Sequence, residues 1–434
     1  MLSRRSFLAS TSIAAAGAAC APTSGEASAA QDAPPEAGLP SAIAALKPMK
    51  DGVVPISVEE RKARLERARR LMAEHKLDAL MLTGGTSMQY FTGMRWGNSE
   101  RLTCAIVPVR GNAFIVTPKF EEERTREQAR LGPLGAATEV YTWEEHESPY
   151  ALVARGLKSL GVTTGAIGVE ETVKYVFSAG VGAAVPQVRI VSGTPVTAGC
   201  RMIKDEHELA LMRHASQVTL KAYEAAYKSL KEGMTQGDFA RMVSQAHDRL
   251  GYSGGAGVQV GAFSALPHGS VTPQVVHEGS ILLIDGGCSV EGYSSDISRT
   301  FVLGKATDKM KKVFDIEHAA QSAALAAAKP GVPCEAVDAA ARKVIVDGGY
   351  GPDYKYFGHR VGHGMGMDGH EWPYLTRGNT LPLAPGMVFS DEPGIYIPGE
   401  FGIRLEDDMY ITADGAQLFT PQSPSLEDPF AVSA

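Results

Sequence analysis

Beyond its first few residues the sequence has no block of Lys and Arg, and its formal net charge is -7. That removes the electrostatic footprint of a nucleic-acid partner. No apolar run reaches the ~18 residues that a membrane-spanning helix needs. The five cysteines form no CxxC pair and no zinc-finger spacing. Cys104, Cys200, Cys288 and Cys334 therefore read as buried apolar residues. No unit of about 20–50 residues repeats, which excludes a solenoid or propeller. What remains is ordinary globular composition, 44% hydrophobic and 21% charged. A chain of 434 residues is too long for one ordinary core and suits two domains.

The N-terminus reads as a targeting segment. Ser3-Arg4-Arg5-Ser6-Phe7-Leu8 sets paired arginines before a mildly apolar stretch ending at Ala19. This resembles a twin-arginine export signal and implies an exported, periplasmic protein. Residues 1–29 are expected to be the signal peptide, cleaved at Ala27-Ser28-Ala29. Lipid attachment at Cys20, after Gly17-Ala18-Ala19, is the alternative. Such a route carries folded proteins out of a reducing cytosol, so disulfides are optional. Residues 30–55 are rich in Ala, Pro, Ser and Gly and read as a linker.

Residues 56–200 are expected to form an α/β domain. A helix over 58–75 places Leu65, Ala68, Leu71 and Met72 on one face. Apolar strands at 79–82, 103–108, 113–116, 140–141 and 166–168 then alternate with helices near 120–131 and 149–160. A second, α+β domain is expected over 201–434. It opens with a long helix over 204–233, where Leu209, Met212, Ala215, Leu220, Tyr223 and Leu230 recur at helical spacing. Further helices are expected near 235–250, 309–328 and 334–347, with strands and hairpin turns between and after them.

The second domain carries the chemistry. The apolar strand Ile281-Leu282-Leu283-Ile284 runs into Asp285, and a second strand over 293–302 carries Asp296. The turn Glu291-Gly292 makes the two aspartates near neighbours. Near the C-terminus the pattern recurs. One strand over 388–397 carries Glu392, another over 401–411 carries Glu406, and Gly399 is their midpoint. Paired carboxylates at the ends of apolar strands repel and are costly to desolvate unless a cation or proton neutralises them. Between the hairpins lie His359, His363 and His370, in a segment whose many glycines argue for tightly packed backbone. Four carboxylates and one imidazole form a hard, oxygen-rich set that favours Mn, Co, Fe or Zn and suits two ions with bridging ligands. Each pair alone reads more readily as a solvated surface pair, and the combination in one domain carries the metal reading.

The order Asp285, Asp296, His363, Glu392, Glu406 resembles that of the pita-bread metallopeptidases. The resemblance extends over Ser264-Ala265-Leu266-Pro267-His268-Gly269, Ser295-Asp296-Ile297-Ser298-Arg299-Thr300, Gly362-His363-Gly364-Met365-Gly366, His370-Glu371, Glu392-Pro393-Gly394-Ile395-Tyr396 and Gly402-Ile403-Arg404-Leu405-Glu406-Asp407. The extra N-terminal domain resembles the creatinase-like domain of the Xaa-Pro aminopeptidase and prolidase branch. That branch implies two divalent ions, manganese first and Co, Zn or Fe as alternatives. It implies Asp285 as chelator of one ion, Asp296 and Glu406 as bridges, and His363 and Glu392 as ligands completing the shell of the other ion. A water acidified between the ions would attack the bond before proline. Glu392 would pass a proton to the leaving nitrogen, and His268 and His370 would contact the substrate and the tetrahedral intermediate. His359, Arg404 and Trp372 would line the substrate pocket. Each has a structural alternative: His268 as a turn residue, Arg404 as a salt bridge to the carboxylates, Trp372 as core. The family resemblance also suggests a homodimer acting on small peptides with proline second.

Trp372, Gly369 and Phe263 depart from the family pattern beside the pocket, which bears on substrate rather than on metal. Two other functions stand beside the peptidase, the first of them motivated by these departures. One is hydrolysis or elimination on a small non-peptide substrate, which a substrate panel distinguishes. The other is a non-catalytic peptide-binding module, which metal analysis distinguishes.

Overall fold

The computed structural model describes residues 38–431, which from Pro40 onward form one unit. The signal peptide, with Cys20, and the first part of the expected linker lie outside the described residues. The rest of that linker is not free. Ser41–Ala44 is a short helix whose Ile43 is buried, and Leu46 follows it into the core. The Met49 amide donates to Leu250 O, and its carbonyl accepts from Tyr252 and His214. Two apolar side chains and these bonds dock the segment on the second domain, which composition alone does not reveal.

The first domain is a six-stranded sheet: β1 (Ala79–Thr83), β2 (Cys104–Pro108), β3 (Phe114–Pro118), β4 (Glu139–Trp143), β5 (Gly165–Val169) and β6 (Val188–Ser192), in the order β4-β3-β2-β1-β5-β6. Leu80 and Leu82 enter one core cluster and Ala79 and Met81 the other. Both faces of β1 are therefore covered, which is why its sequence is continuously apolar rather than alternating. Helix Val58–Glu74 starts at a capping box in which the Glu60 amide donates to Ser57 Oγ and the Ser57 amide to Glu60. Such a cap contributes about 1 kcal/mol. Helices Thr86–Thr92, Tyr175–Ala184 and Thr194–Arg201, and β6, escape a reading by periodicity.

The second domain has β7 (Gly254–Val260), β8 (Ile281–Val290), β9 (Tyr293–Ser294) and β10 (Ile297–Val302) in one sheet. A five-stranded sheet holds β11 (Gly362–Gly364), β12 (Glu371–Leu375), β13 (Val388–Asp391), β16 (Asp407–Ile411) and β17 (Ala416–Leu418). Strands β14 (Gly394–Ile397) and β15 (Phe401–Arg404) pair apart from it. Helices Glu206–Tyr227, Gln236–Leu250, Asp308–Ala327 and Cys334–Asp347 pack around them. The first of these ends at Tyr227, six residues before the expected stop at Gly233. There the Ser229 hydroxyl donates to Ala225 O at 2.9 Å and the next amides bond at closer spacing, so the helix tightens and stops. All four described cysteines are free and buried. No helix of the described residues is long and apolar enough to cross a membrane.

Buried ion pairs fasten the first domain, and the junction at 201–204, to the second domain. Arg64 reaches Glu208 at 3.1 Å, and Tyr293 donates to the same carboxylate at 2.7 Å. Arg201 pairs with Asp368 and Glu371, and Lys204 with Glu371 at 2.6 Å.

Candidate metal centre

Three of the four expected strands break at a ligand. The strand over 293–302 parts between β9 and β10 at Ser295-Asp296. There Ser295 O sits where a Cβ on Gly287 would lie, 2.0 Å away, so only glycine permits the approach. Asp296 N leaves the ladder and donates to Asp408 Oδ2 at 3.1 Å. The strand over 388–397 parts at Glu392-Pro393, where proline has no N–H to offer a neighbour. Its partner over 401–411 parts at Leu405-Glu406. The register nevertheless runs unbroken across the gap, from Val388↔Tyr410 to Ile397↔Phe401, and leaves Glu392 facing Glu406. In the first hairpin Asp285 stands opposite Ser298, which makes Asp296 its diagonal neighbour on the same face.

These breaks turn the ligands into one cavity of about 160 Å³, lined by Pro267, His268, Asp285, Asp296, His359, Arg360, His363, His370, Glu392, Arg404 and Glu406. Three triads each bring their donor atoms within 4.8 Å of one another: Asp285, Asp296 and Glu406; His363, Glu392 and Glu406; Asp296, His363 and His370. Glu406 is common to the first two and Asp296 to the first and third. His363 Nδ1–H donates to Gly364 O at 3.2 Å, and its Nε2 faces Glu392 at 3.3 Å and Asp296 at 3.9 Å. The surrounding glycines hold this ring in place. A Cβ on Gly362 would meet Ser390 O at 2.0 Å, and one on Gly364 would meet Glu371 O at 2.5 Å.

The electrostatics fit cations. Burial first, then Asp285, Asp408 and Glu392, holds Asp296 well above the usual carboxylate range. Burial, then Asp296, Glu392 and Asp285, does the same to Glu406. For Glu392 burial is outweighed by the hydrogen bond to His363, by His359 and by Arg404, and its carboxyl is held down to about 2. Four carboxylates thus share one chamber with one committed guanidinium, and two divalent ions would neutralise them. Oxygen donors with one imidazole are the set that hard to borderline cations take.

Of the expected substrate residues, His268 stands exposed on the cavity wall. His370 stacks on His363 at 3.6 Å between centroids, close enough to belong to a triad. His359 has both nitrogens engaged, by Tyr396 Oη at 2.7 Å and Arg360 O at 2.8 Å. Arg404 is nearly fully buried and bonds the chain itself: Asp285 at 2.8 Å, Ser298 at 2.9 Å, Tyr396 at 2.9 Å and Pro267 O at 3.2 Å. Its salt-bridge alternative is the one seen. Trp372, expected at the substrate, lies outside this cavity. It is 39% exposed, and its indole N–H donates to Glu171 of the first domain at 3.0 Å, in a neighbouring crevice that shares only His370 with the metal cavity. The aromatic ring is drawn off by a carboxylate that the sequence does not place near it.

Three residues escaped the sequence reading. Ser298 Oγ lies 3.1 Å from Asp285 and 2.6 Å from Glu406, so it ties the two hairpins together. Tyr396 orients His359 and Arg404. Arg360 lines the cavity. Ser298 and Tyr396 offered a signal, as members of the motifs Ser295-Asp296-Ile297-Ser298-Arg299-Thr300 and Glu392-Pro393-Gly394-Ile395-Tyr396.

Residues 210–413 match the model of metallopeptidase family M24, and residues 64–203 that of the creatinase/prolidase N-terminal domain. The chain is similar to the probable dipeptidase PepE of Mycobacterium tuberculosis, at 35% identity over 81% of this chain and 92% of that protein. It is similar to the Xaa-Pro dipeptidase of Lactobacillus delbrueckii subsp. lactis, at 32% identity over 84% of this chain and 98% of that protein. The solved dipeptidase PepE of Mycobacterium ulcerans has a TM-score of 0.80 at 32% identity, covering 86% of this chain and 99% of that one.

Proposed function

The chain belongs to metallopeptidase family M24, and on that premise we propose that it hydrolyses the bond before proline in short Xaa-Pro peptides, with two manganese ions as cofactor. The observation that carries the reading is the sharing of Glu406 between two donor triads, which builds a two-ion site rather than a one-ion site. Asp285, Asp296 and Glu406 would hold one ion, and His363, Glu392, Glu406 and Asp296 the other. The bound ions supply Lewis acidity and an acidified water. The chain supplies the rest. Arg404 and Ser298 fix Asp285 and Glu406, so the carboxylates meet the ions with no reorganisation. Glu392, ionised at neutral pH, is placed to take up a proton and deliver it to the departing proline nitrogen. Burial, then the neighbouring His363, keeps His370 neutral, so its ring N–H is a hydrogen-bond donor for the substrate carbonyl. The preference for proline rests on the relatives, among them the Xaa-Pro dipeptidase named above.

Protein stripped of metal and reloaded with Mn²⁺ is expected to cleave Ala-Pro and to leave Ala-Ala nearly untouched. Turnover of a small amide or betaine with no Ala-Pro cleavage would refute the peptidase reading. The proposal also includes export to the periplasm, and the same premise suggests a homodimer. Replacing Arg4 and Arg5 with lysine is expected to retain the protein in the cytoplasm on cell fractionation. An unchanged periplasmic yield would remove the twin-arginine route.

A further inference from the structure

Helix Glu206–Tyr227 turns a polar stripe toward the metal centre. Ser216, Thr219 and Tyr223 are three and four residues apart, so they share one face. All three are fully buried. The Ser216 hydroxyl donates to Asp408 Oδ2 at 3.0 Å, the same oxygen that accepts from the Asp296 amide. Thr219 Oγ1 meets Ser295 Oγ at 2.8 Å, one residue before Asp296. The Tyr223 hydroxyl, next along the stripe, bonds to nothing among the described residues. Its ring stands edge-on to His247, with 6.3 Å between centroids. Burial, then the charges of Asp285, Asp296 and Glu406, pushes the phenol well above its usual range, so the hydroxyl keeps its proton and looks onto those carboxylates. One of the ligands has the opposite deficit. Asp285 accepts from Arg404 and Ser298, Glu406 from Ser298, and Glu392 from Ser390. The Asp296 carboxylate accepts no hydrogen bond among the described residues, and His363 Nε2, at 3.9 Å, is too far to donate.

We propose that the Tyr223 hydroxyl is the hydrogen-bond donor for Asp296 in the metal-loaded enzyme, and that it sets how tightly the ions are held. This rests on the two-ion site above and not on the choice of substrate. A buried donor with no acceptor costs free energy, and a carboxylate taken out of water with no donor costs more. The helix face brings one of each to the same place. Asp296 is the ligand for which an outer donor matters most. As a bridge it gives one oxygen to each ion, so the plane of its carboxylate has to be fixed. Ligand carboxylates are held in this way by outer hydrogen bonds. Without cations the clustered carboxylates repel one another. Ions between them replace that repulsion by attraction, and donor and acceptor then close on each other. Tyr223 is thus a positioning residue, which touches neither substrate nor ion.

Tyr223→Phe removes one oxygen and keeps the ring, and the two states of the protein should answer with opposite signs. In chelator the melting temperature of the variant is expected to rise by about 1–5 °C, because a buried, unbonded hydroxyl is gone. Its affinity for Mn²⁺, measured by titration calorimetry, is expected to weaken about 10- to 100-fold. Tyrosine absorption in the near ultraviolet should shift as Mn²⁺ is added to wild type, and that shift should be largely lost in the variant. A melting temperature that falls in chelator would mean that the hydroxyl is already bonded in the metal-free fold, through an ordered water, and would overturn the assignment. An affinity within about twofold of wild type would overturn it as well. Wild type that binds no Mn²⁺ would remove the two-ion site and the assignment with it. Wild type that binds Mn²⁺ and leaves Ala-Pro intact would touch only the substrate reading.

Discussion

Glu406→Gln is expected to lower kcat/KM on Ala-Pro by about 10³-fold or more, and to make the metal-free protein more stable. The first effect follows from position. Glu406 belongs to both donor triads, so its loss weakens both ions at once. Changing even an outer partner of a metal ligand typically costs 10–100-fold. The second effect follows from charge. Without cations, Glu406 is buried against Asp296, Glu392 and Asp285, and burial with their repulsion holds its carboxyl far above the usual range. A group with a raised folded pKa keeps its proton in the folded state after the unfolded chain has released it. From about pH 4.5 upward, stability of the metal-free wild type therefore falls with rising pH, until the folded carboxyl also ionises. Gln escapes this loss. In chelator the two proteins should melt together near pH 4.5, and the variant should melt higher at pH 7–8, by about 1–4 kcal/mol. With Mn²⁺ the order reverses, because only wild type gains binding energy. Thermal melts at both pH values, with metal content measured on the purified proteins, decide it. A variant that retains two ions per chain, or a metal-free pair with equal melting points throughout, would sink the account.

The same carboxylates explain why the ligand set was legible in the sequence. Asp285 ends an apolar strand, and Glu392 and Glu406 are symmetric about Gly399, so alternation and turn chemistry place them before any tertiary contact is known. The second hairpin keeps the register that symmetry implies. The first keeps one register from Val290↔Tyr293 to Asp285↔Ser298, centred on Glu291-Gly292, and so sets Asp296 two residues from the position opposite Asp285. Helices Gln236–Leu250, Asp308–Ala327 and Cys334–Asp347 were legible for a similar reason, an apolar stripe bounded by clear start and stop signals. Strand β7 was not. Gly254-Gly255-Ala256-Gly257 has no side chains with which to announce a strand, and its glycines serve close approach, as where a Cβ on Gly254 would meet the His247 ring at 2.5 Å. Ser298, Arg360 and the turning of Trp372 toward Glu171 escaped for another reason. Each role is created by a partner far away in the chain, as with Ser298 and Glu406, and no local pattern encodes it.

Arg299 is the sharpest case of that kind, and Arg299→Met is expected to destabilise the protein by about 3–5 kcal/mol. Its side chain is fully buried, 2.7 Å from Asp407, which is equally buried. It also donates to Ser298 O at 3.0 Å, Glu406 O at 2.8 Å and Pro421 O at 2.9 Å. One guanidinium therefore joins β10, just after Asp296, to β16, just after Glu406. Methionine fills much of the volume but leaves Asp407 with only the Thr420 hydroxyl and the Gln321 amide for support. Three carbonyls lose a donor as well. Adding Asp407→Asn removes the stranded charge, so the double variant should recover part of the loss, and the coupling between the two positions should exceed 1 kcal/mol in a double-mutant cycle. Metal retention should weaken too, although Arg299 touches no ligand carboxylate, because the strands that set the distance between Asp296 and Glu406 lose their common anchor. Denaturant unfolding of the four proteins, with and without Mn²⁺, measures both consequences. A loss below about 1 kcal/mol would mean that the hairpins are held by their own packing, and that Arg299 only neutralises Asp407.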